Sequence, residues 1–322
     1  MDGAGLHVAC AADQRYAAYC AAMLHSLLEV HAGEPLTVHF LHGADFPADA
    51  LEQLRGMVEG RRPAVFRSHR IGAERLAAVP LTAQFGPAMW YRLFLPELLP
   101  EQPRVLYLDV DTMVVDRLDE LWRLPLEGRS VAAVESVVEP AMRPHVAELG
   151  LPPGTGYFNS GVLLLNLERL RRTRALPRMV ELARSRAGQW AWPDQHLLNL
   201  LFGVERVSLH PRWNCLNALY FWRRLAVEAY GPAAVAEALD RPAILHFEGP
   251  GMAKPWHYLC KHPARRRWWA HMRRTPFAPP PLLGRNAWAV LVRPLPAAVI
   301  PYMLRVEARL RRMVLKPVSD QS

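Results

Sequence analysis

Two aspartates one residue apart, Asp109 and Asp111, close the apolar run Val105-Leu106-Tyr107-Leu108. Paired carboxylates at the end of a buried strand cannot be ordinary core residues, because a buried carboxylate needs a partner. A divalent cation is the natural one: Mg²⁺ or Mn²⁺ prefers oxygen ligands and leaves coordination positions open to a phosphate.

The elements around this pair have to bring it to a crevice. Apolar runs of strand length at 6–12, 36–42, 63–69, 105–108, 131–134, 161–167 and 243–247 alternate with helical stretches at 16–30, 47–59, 87–99, 168–187 and 194–202. Such alternation predicts an α/β fold with a mainly parallel central sheet, whose ligand crevice lies at the carboxyl ends of the strands. Asp13 and Asp109 both stand at such ends. The triple proline 279–281 marks a linker to a distinct tail.

The chain has 322 residues and a formal net charge of +9. Residues 261–322 carry thirteen basic and two acidic side chains, so this segment holds +11 and residues 1–260 hold −2. A nucleic-acid-binding body would carry its basic groove across the folded surface, which a nearly neutral body does not suggest. No uncharged apolar run in the tail reaches the ~18 residues that cross a bilayer. From Met303 the spacing turns helical, with Val306, Leu310, Met313 and Val314 on one face and Arg305, Arg309, Arg312 and Lys316 on the other. A basic amphipathic helix flanked by Trp and Tyr reads as an interfacial anchor on an anionic membrane surface. The N-terminus lacks the basic and apolar regions of a signal peptide. Cys10, Cys20, Cys215 and Cys260 lack metal-binding spacing and suit a reducing compartment. The expected location is cytoplasmic, peripheral on the inner face of the plasma membrane.

A D-x-D after an apolar strand fits two enzyme classes: nucleotide-sugar glycosyltransferases, and phosphatases of the haloacid-dehalogenase type. The latter want Thr or Val where this chain has Met113, and place the motif near the N-terminus. The surrounding blocks favour the former. CAADQRYAAYCAAMLHSLL, MWYRLFLPELLP with VLYLDVDTMV, YFNSGVLLLNL, WPDQHLLN and ILHFEGPGMAKPWH resemble, in order, the motifs of glycosyltransferase family 8, in particular the bacterial enzymes that build lipooligosaccharide and lipopolysaccharide. The basic aromatic tail is similar to the membrane-attaching tails of those enzymes.

That resemblance implies a GT-A-type, Rossmann-like fold over 1–260, a membrane-associating segment over 261–322, and a retaining transfer from UDP-galactose or UDP-glucose to a saccharide or glycolipid acceptor. It implies Mn²⁺, with Mg²⁺ possible, held by Asp109, Asp111 and His246. Ala11, Ala12, Asp13 and Tyr16 would hold the uridine, although Asp13 suits a helix N-cap equally well. Arg92 would reach the nucleotide-sugar side or make a structural ion pair. Val110, Asn159, Gly249 and Lys254 would complete the donor site, with Lys254 reaching the diphosphate if the loop after His246 bulges. Asp194 and Gln195 would carry the chemistry beside the transferred sugar, Asp194 also being a candidate N-cap after Pro193. Glu135 stands where the galactosyltransferases of this kind have an aspartate meeting sugar or acceptor.

Overall fold

The structure, a computed structural model, describes residues 5–81, 86–296, 299, 300 and 303. The helix expected from Met303 onward therefore lies outside the described residues. Seven strands form the central sheet: β1 (Leu6–Ala11), β2 (Leu36–Gly43), β3 (Val65–Ile71), β4 (Arg104–Leu108), β6 (Val131–Glu135), β7 (Phe158–Asn166) and β8 (Arg206–Leu209), in the order β3-β2-β1-β4-β7-β6-β8. All neighbours run parallel except β7, which is antiparallel to both β4 and β6. A second sheet orders β5 (Thr112–Val114), β10 (Ile244–His246) and β9 (Cys215–Leu216).

Both faces of the large sheet are covered, which is why its strands read as continuous apolar runs. Val8 and Cys10 of β1, Leu106 and Leu108 of β4, and Val162 and Leu164 of β7 face the helices α1 (Ala17–Val30) and α2 (Ala48–Glu59). Ala9, Val105, Tyr107, Leu163 and Leu165 face the opposite layer, built from residues 87–99, 167–183 and 197–202.

The helix expected over 168–187 is two, Leu167–Arg172 and Ala175–Ser185, with Arg174 between them at φ 50°. In one continuous helix the five-residue step from Leu170 to Ala175 would rotate the apolar face by about 140°. The break lets both helices bury their apolar residues in the same layer.

The reversal of β7 matters most for the site. Pairing Leu108 with Val162 puts the start of β7 beside the carboxyl end of β4, so Asn159, Ser160 and Gly161 arrive next to Asp109. The small sheet does the same for His246, which pairs with Thr112 in β5 and Leu216 in β9.

The apolar core does not stop at residue 260. Trp268 and Met272, on the helix Arg265–Met272, are fully buried in one cluster with Tyr19, Phe247 and Trp256. Beyond the three prolines the chain returns along 256–258, where Tyr258 and Leu283 share a backbone hydrogen bond of 2.8 Å. Among the described residues no helix is long and apolar enough to cross a membrane.

Candidate active site

A cavity of about 1070 Å³ opens at the carboxyl end of the sheet, with Arg92, Asp109, Asp111, Asn159, Asp194, Gln195, His246 and Gly249 in its wall. One carboxylate oxygen from each aspartate and one nitrogen of His246 lie within 4.8 Å of one another. The floor beneath them is Gly161. A Cβ there would stand 2.2 Å from Cε1 of His246 and 2.7 Å from Oδ2 of Asp109, so only glycine admits the cluster.

Hydrogen bonds determine the chemical state of His246. The backbone N–H of Gly161 donates to Oδ1 of Asn159 at 2.9 Å, so that atom is an acceptor, and Asn214 must meet it through Nδ2, at 2.9 Å. The Oδ1 of Asn214 then faces Nδ1 of His246 at 2.9 Å and can only accept, which puts the proton on Nδ1. The Nε2 of His246 therefore points at Oδ1 of Asp111, 3.3 Å away, an approach that calls for a proton or a metal ion between the two. Two hard carboxylates and an imidazole whose far nitrogen is held by an amide fit a divalent cation.

Arg92 is the buried tie of the site. Its Nη2 donates to Asp109 at 2.8 Å, its Nη1 donates to the carbonyl of Ser160 at 2.6 Å and stands 3.5 Å from Asp194, and its guanidinium lies 4.3 Å from the centroid of the Tyr107 ring. The Tyr107 hydroxyl donates to the same Asp109 oxygen. Burial pushes the Asp111 carboxyl up, but Lys254 and His246 outweigh it and hold Asp111 well below the usual carboxylate range. Lys254 donates directly to Asp111. The loop that delivers it turns through two left-handed glycines, Gly249 at φ 85° and Gly251 at φ 58°, a bulge that residues with a Cβ resist.

Gln195 is held by a backbone group in the same way as Asn159. Its Oε1 accepts from the Ser160 N–H at 3.0 Å and from Asn159 Nδ2 at 3.2 Å, which leaves its Nε2 to donate to the Tyr157 hydroxyl at 2.9 Å. That hydroxyl donates on to Nδ1 of His196 at 2.7 Å, and burial lowers His196 to about 4. Asp194 does not cap its helix: Trp192 is the N-cap residue of Pro193–Phe202, so Asp194 stands in the first turn and accepts from Ser160 Oγ at 3.3 Å.

The residues expected around the base form a neighbouring patch. Ala11 and Ala12 are buried at the end of β1, and Asp13 accepts from the Arg15 N–H and pairs with its guanidinium at 2.7 Å. Tyr16 is 38% exposed. An aromatic chain links this patch to the carboxylates: Tyr16 meets Tyr19 edge-on, Tyr19 stacks on Trp256 with centroids 4.0 Å apart, and Lys254 lies 5.7 Å over the Trp256 ring.

Apart from the base-side patch and Lys254, which meets the site through Asp111, two expected residues stay off the cavity wall. The side chain of Val110 is buried in the apolar core with Leu108 and Val114. Glu135 turns to Arg206 at 3.3 Å and covers Gly156, while Ser136, Val137 and Glu139 line the cavity in its place. Sequence reasoning missed Asn214, Tyr157, Asn217 and Glu248. Asn217 donates its backbone N–H to the Glu248 carboxylate, and burial pushes Glu248 up to about 7 although His246 opposes it. The asparagines of the run Trp213-Asn214-Cys215-Leu216-Asn217, set among apolar residues, were the available signal.

Fold and site together define a glycosyltransferase of the GT-A type. Residues 7–260 match glycosyl transferase family 8. The chain belongs to that family and is a retaining hexosyltransferase, and the phosphatase reading of Asp109 and Asp111 gives way. It is 24% identical over 275 residues to general stress protein A of Bacillus subtilis, covering 84% of this chain and 94% of that protein. It is 29% identical over 198 residues to lipopolysaccharide 1,2-glucosyltransferase of Escherichia coli K12, covering 61% of this chain and 57% of the length of that relative. Among solved structures, galactosyltransferase LgtC in complex with donor and acceptor sugar analogs superposes with a TM-score of 0.71 at 26% identity, over 85% of this chain and 98% of that one.

Proposed function

We propose that this chain moves galactose or glucose, with retention of configuration, from UDP-galactose or UDP-glucose to a saccharide acceptor of lipopolysaccharide or another envelope glycan, using Mn²⁺, or Mg²⁺, held by Asp109, Asp111 and His246. The observation that carries the reading is the tautomer of His246: Asn214 holds Nδ1–H, and Nε2 is left facing the paired carboxylates. The lipopolysaccharide enzyme and the donor- and acceptor-bound galactosyltransferase among the relatives support the substrate class.

Bound there, the divalent ion supplies charge neutralisation of the leaving diphosphate, an effect worth several kcal/mol. The residues of the chain do the rest. Lys254, on its glycine-hinged loop, brings an ammonium to the same corner. Asp13 and Tyr16 offer a carboxylate edge and an aromatic face to a base. Gln195, its oxygen already accepting two N–H groups, stabilises positive charge on the sugar as a held dipole and is not a free nucleophile. Arg92 keeps Asp109 and Asp194 in one orientation. Met142, Trp192, Phe221, Trp222 and Met252 of the cavity lining give an acceptor sugar apolar and aromatic surfaces to lie on.

The basic segment 261–322 serves in this proposal as a peripheral contact with the anionic inner face of the plasma membrane. Leu291 and Val290 are exposed there beside Arg285 and Arg293, a mixture suited to an interface.

A screen of UDP-sugars followed by UDP release, with and without Mn²⁺, tests the reading. One UDP-hexose is expected to turn over only with the metal, and not in D109A or D111A. Metal-independent release at the same rate, or normal turnover in either variant, overturns it. For the tail, the full chain with Arg305, Arg309 and Arg312 changed to Glu is expected to lose co-sedimentation with anionic vesicles; unchanged binding refutes the membrane role.

A further inference from the structure

A second cluster of side chains of metal-ligating type joins α1 to the helix Arg265–Met272. His25 and Glu29 stand one turn apart on α1, and His271 reaches them from the helix Arg265–Met272. Nδ1 of His25 and Nδ1 of His271 are 3.1 Å apart, Nδ1 of His271 and Oε2 of Glu29 are 3.3 Å apart, and all three donors lie within 4.8 Å of one another. Donors ~2.0–2.1 Å from a tetrahedral Zn²⁺ are separated by about 3.3 Å, so two edges of this triangle already match.

The surroundings of Glu29 favour a ligand. His25 is 3% exposed and makes its polar contact through Nδ1, the atom that faces the cluster, while its Nε2 is buried without a hydrogen-bond partner. Glu29 accepts from Arg274 at 2.9 Å through Oε1 and so presents Oε2 to His271, the outer hydrogen bond typical of a ligating carboxylate. An adjoining cavity of about 580 Å³, lined by His25, Glu52, Gln53, Arg61 and Arg274, gives an open fourth position access to water. The nearby guanidiniums of Arg61 and Arg274 weaken a dication here without removing its ligands.

We propose that His25, Glu29 and His271 form a structural site for a first-row transition-metal ion, Zn²⁺ by donor set, that clamps the start of the basic C-terminal segment to α1. Two imidazoles and one carboxylate select a softer ion than Asp109, Asp111 and His246 do, so the two centres take different metals. The clamp would couple the position of the C-terminal segment to α1, whose N-terminal end carries Tyr16 and Tyr19.

Calorimetric titration of the full chain with Zn²⁺ alone, and its thermal midpoint with and without Zn²⁺, test this. Wild type is expected to bind one more Zn²⁺ per chain than E29Q or H271Q, with at least a tenfold loss of affinity at that site in each, and only wild type should gain thermal stability from it. Glu29 is half-exposed, so E29Q keeps the fold, and Mn²⁺-dependent UDP release should stay at its wild-type level in that variant. Equal Zn²⁺ stoichiometry and affinity in wild type and both variants overturns the site, as does a wild-type midpoint that Zn²⁺ leaves unchanged, which would make the cluster a hydrogen-bonded clasp only.

Discussion

Oδ1 of Asn214 lies 2.9 Å from Nδ1 of His246 and can only accept, because Nδ2 of Asn214 donates to Asn159. N214A frees the imidazole to rotate and to change tautomer. Loss of such an outer partner typically costs 10–100-fold in metal affinity. The metal concentration giving half-maximal UDP release should rise by that factor, alongside a loss of about 1–3 kcal/mol of stability from the buried N–H left unpaired. An unchanged metal requirement would show that His246 needs no such support.

Arg92 spans Asp109, Asp194 and the Ser160 carbonyl with one planar fork. A lysine keeps the charge but cannot reach three partners at once. R92K should lower kcat by tenfold or more, with a smaller effect on KM. R92M, which leaves two partly buried carboxylates without their cation, should cost about 1–3 kcal/mol of stability. Urea denaturation of both variants beside steady-state kinetics separates the effects, and a fully active R92M would contradict the tie.

Two glycines make opposite predictions. Gly161→Ala drives a methyl group into His246 and Asp109 and should abolish metal-dependent turnover. Gly56 lies within α2 and is exposed, and a methyl group added there would meet nothing within 4 Å. Gly56→Ala should raise stability by about 0.4–1 kcal/mol and leave turnover alone. Circular-dichroism melts of the pair, with assays, check both at once.

His7, His39 and His69 form a hydrogen-bonded row across β1, β2 and β3, with contacts of 3.0 and 3.1 Å. Burial, helped by His69, His7 and Arg67, lowers His39 to about 3. The folded state therefore keeps this ring neutral, while the unfolded chain takes up a proton near pH 6.5. The stability this contributes is complete above pH 6.5 and is lost as pH falls toward 3. At pH 5 the loss from His39 alone is about 2 kcal/mol. Chemical denaturation at pH 7 and pH 5 should show that loss in wild type and a shallower pH slope in H39N; identical slopes would rule the row out as its source.

Much of this was legible in the chain. β1, β2, β4 and the helices α1 and α2 announce themselves as apolar runs and amphipathic periods, because local sequence pattern and burial agree there. The aspartate pair stood out because carboxylates are costly after four buried apolar residues. The run ending at His246 was legible as a strand, but nothing local placed it against Thr112 in a separate small sheet. Asn214 stood out only as a polar residue in an apolar run, and nothing local named the partners, Asn159 and His246, that satisfy it. Glu135 misled because sequence position alone did not reveal Arg206, which takes its carboxylate.

What the sequence by itself determined is chemical inventory and order: an α/β chain of this family with a nearly neutral body, a basic end, and carboxylates, glycines and a lysine in the spacing that metal and diphosphate chemistry require. Those follow from residue types and short-range periodicity. The tertiary structure alone decided which side chains share a site. The reversed direction of β7 carries Asn159 to Asp109, and a three-stranded sheet carries His246 to Asp111. Trp268, which belongs by sequence to the basic tail, lies in the core because contacts between distant segments depend on strand order and packing, and neither is written in any one stretch of chain.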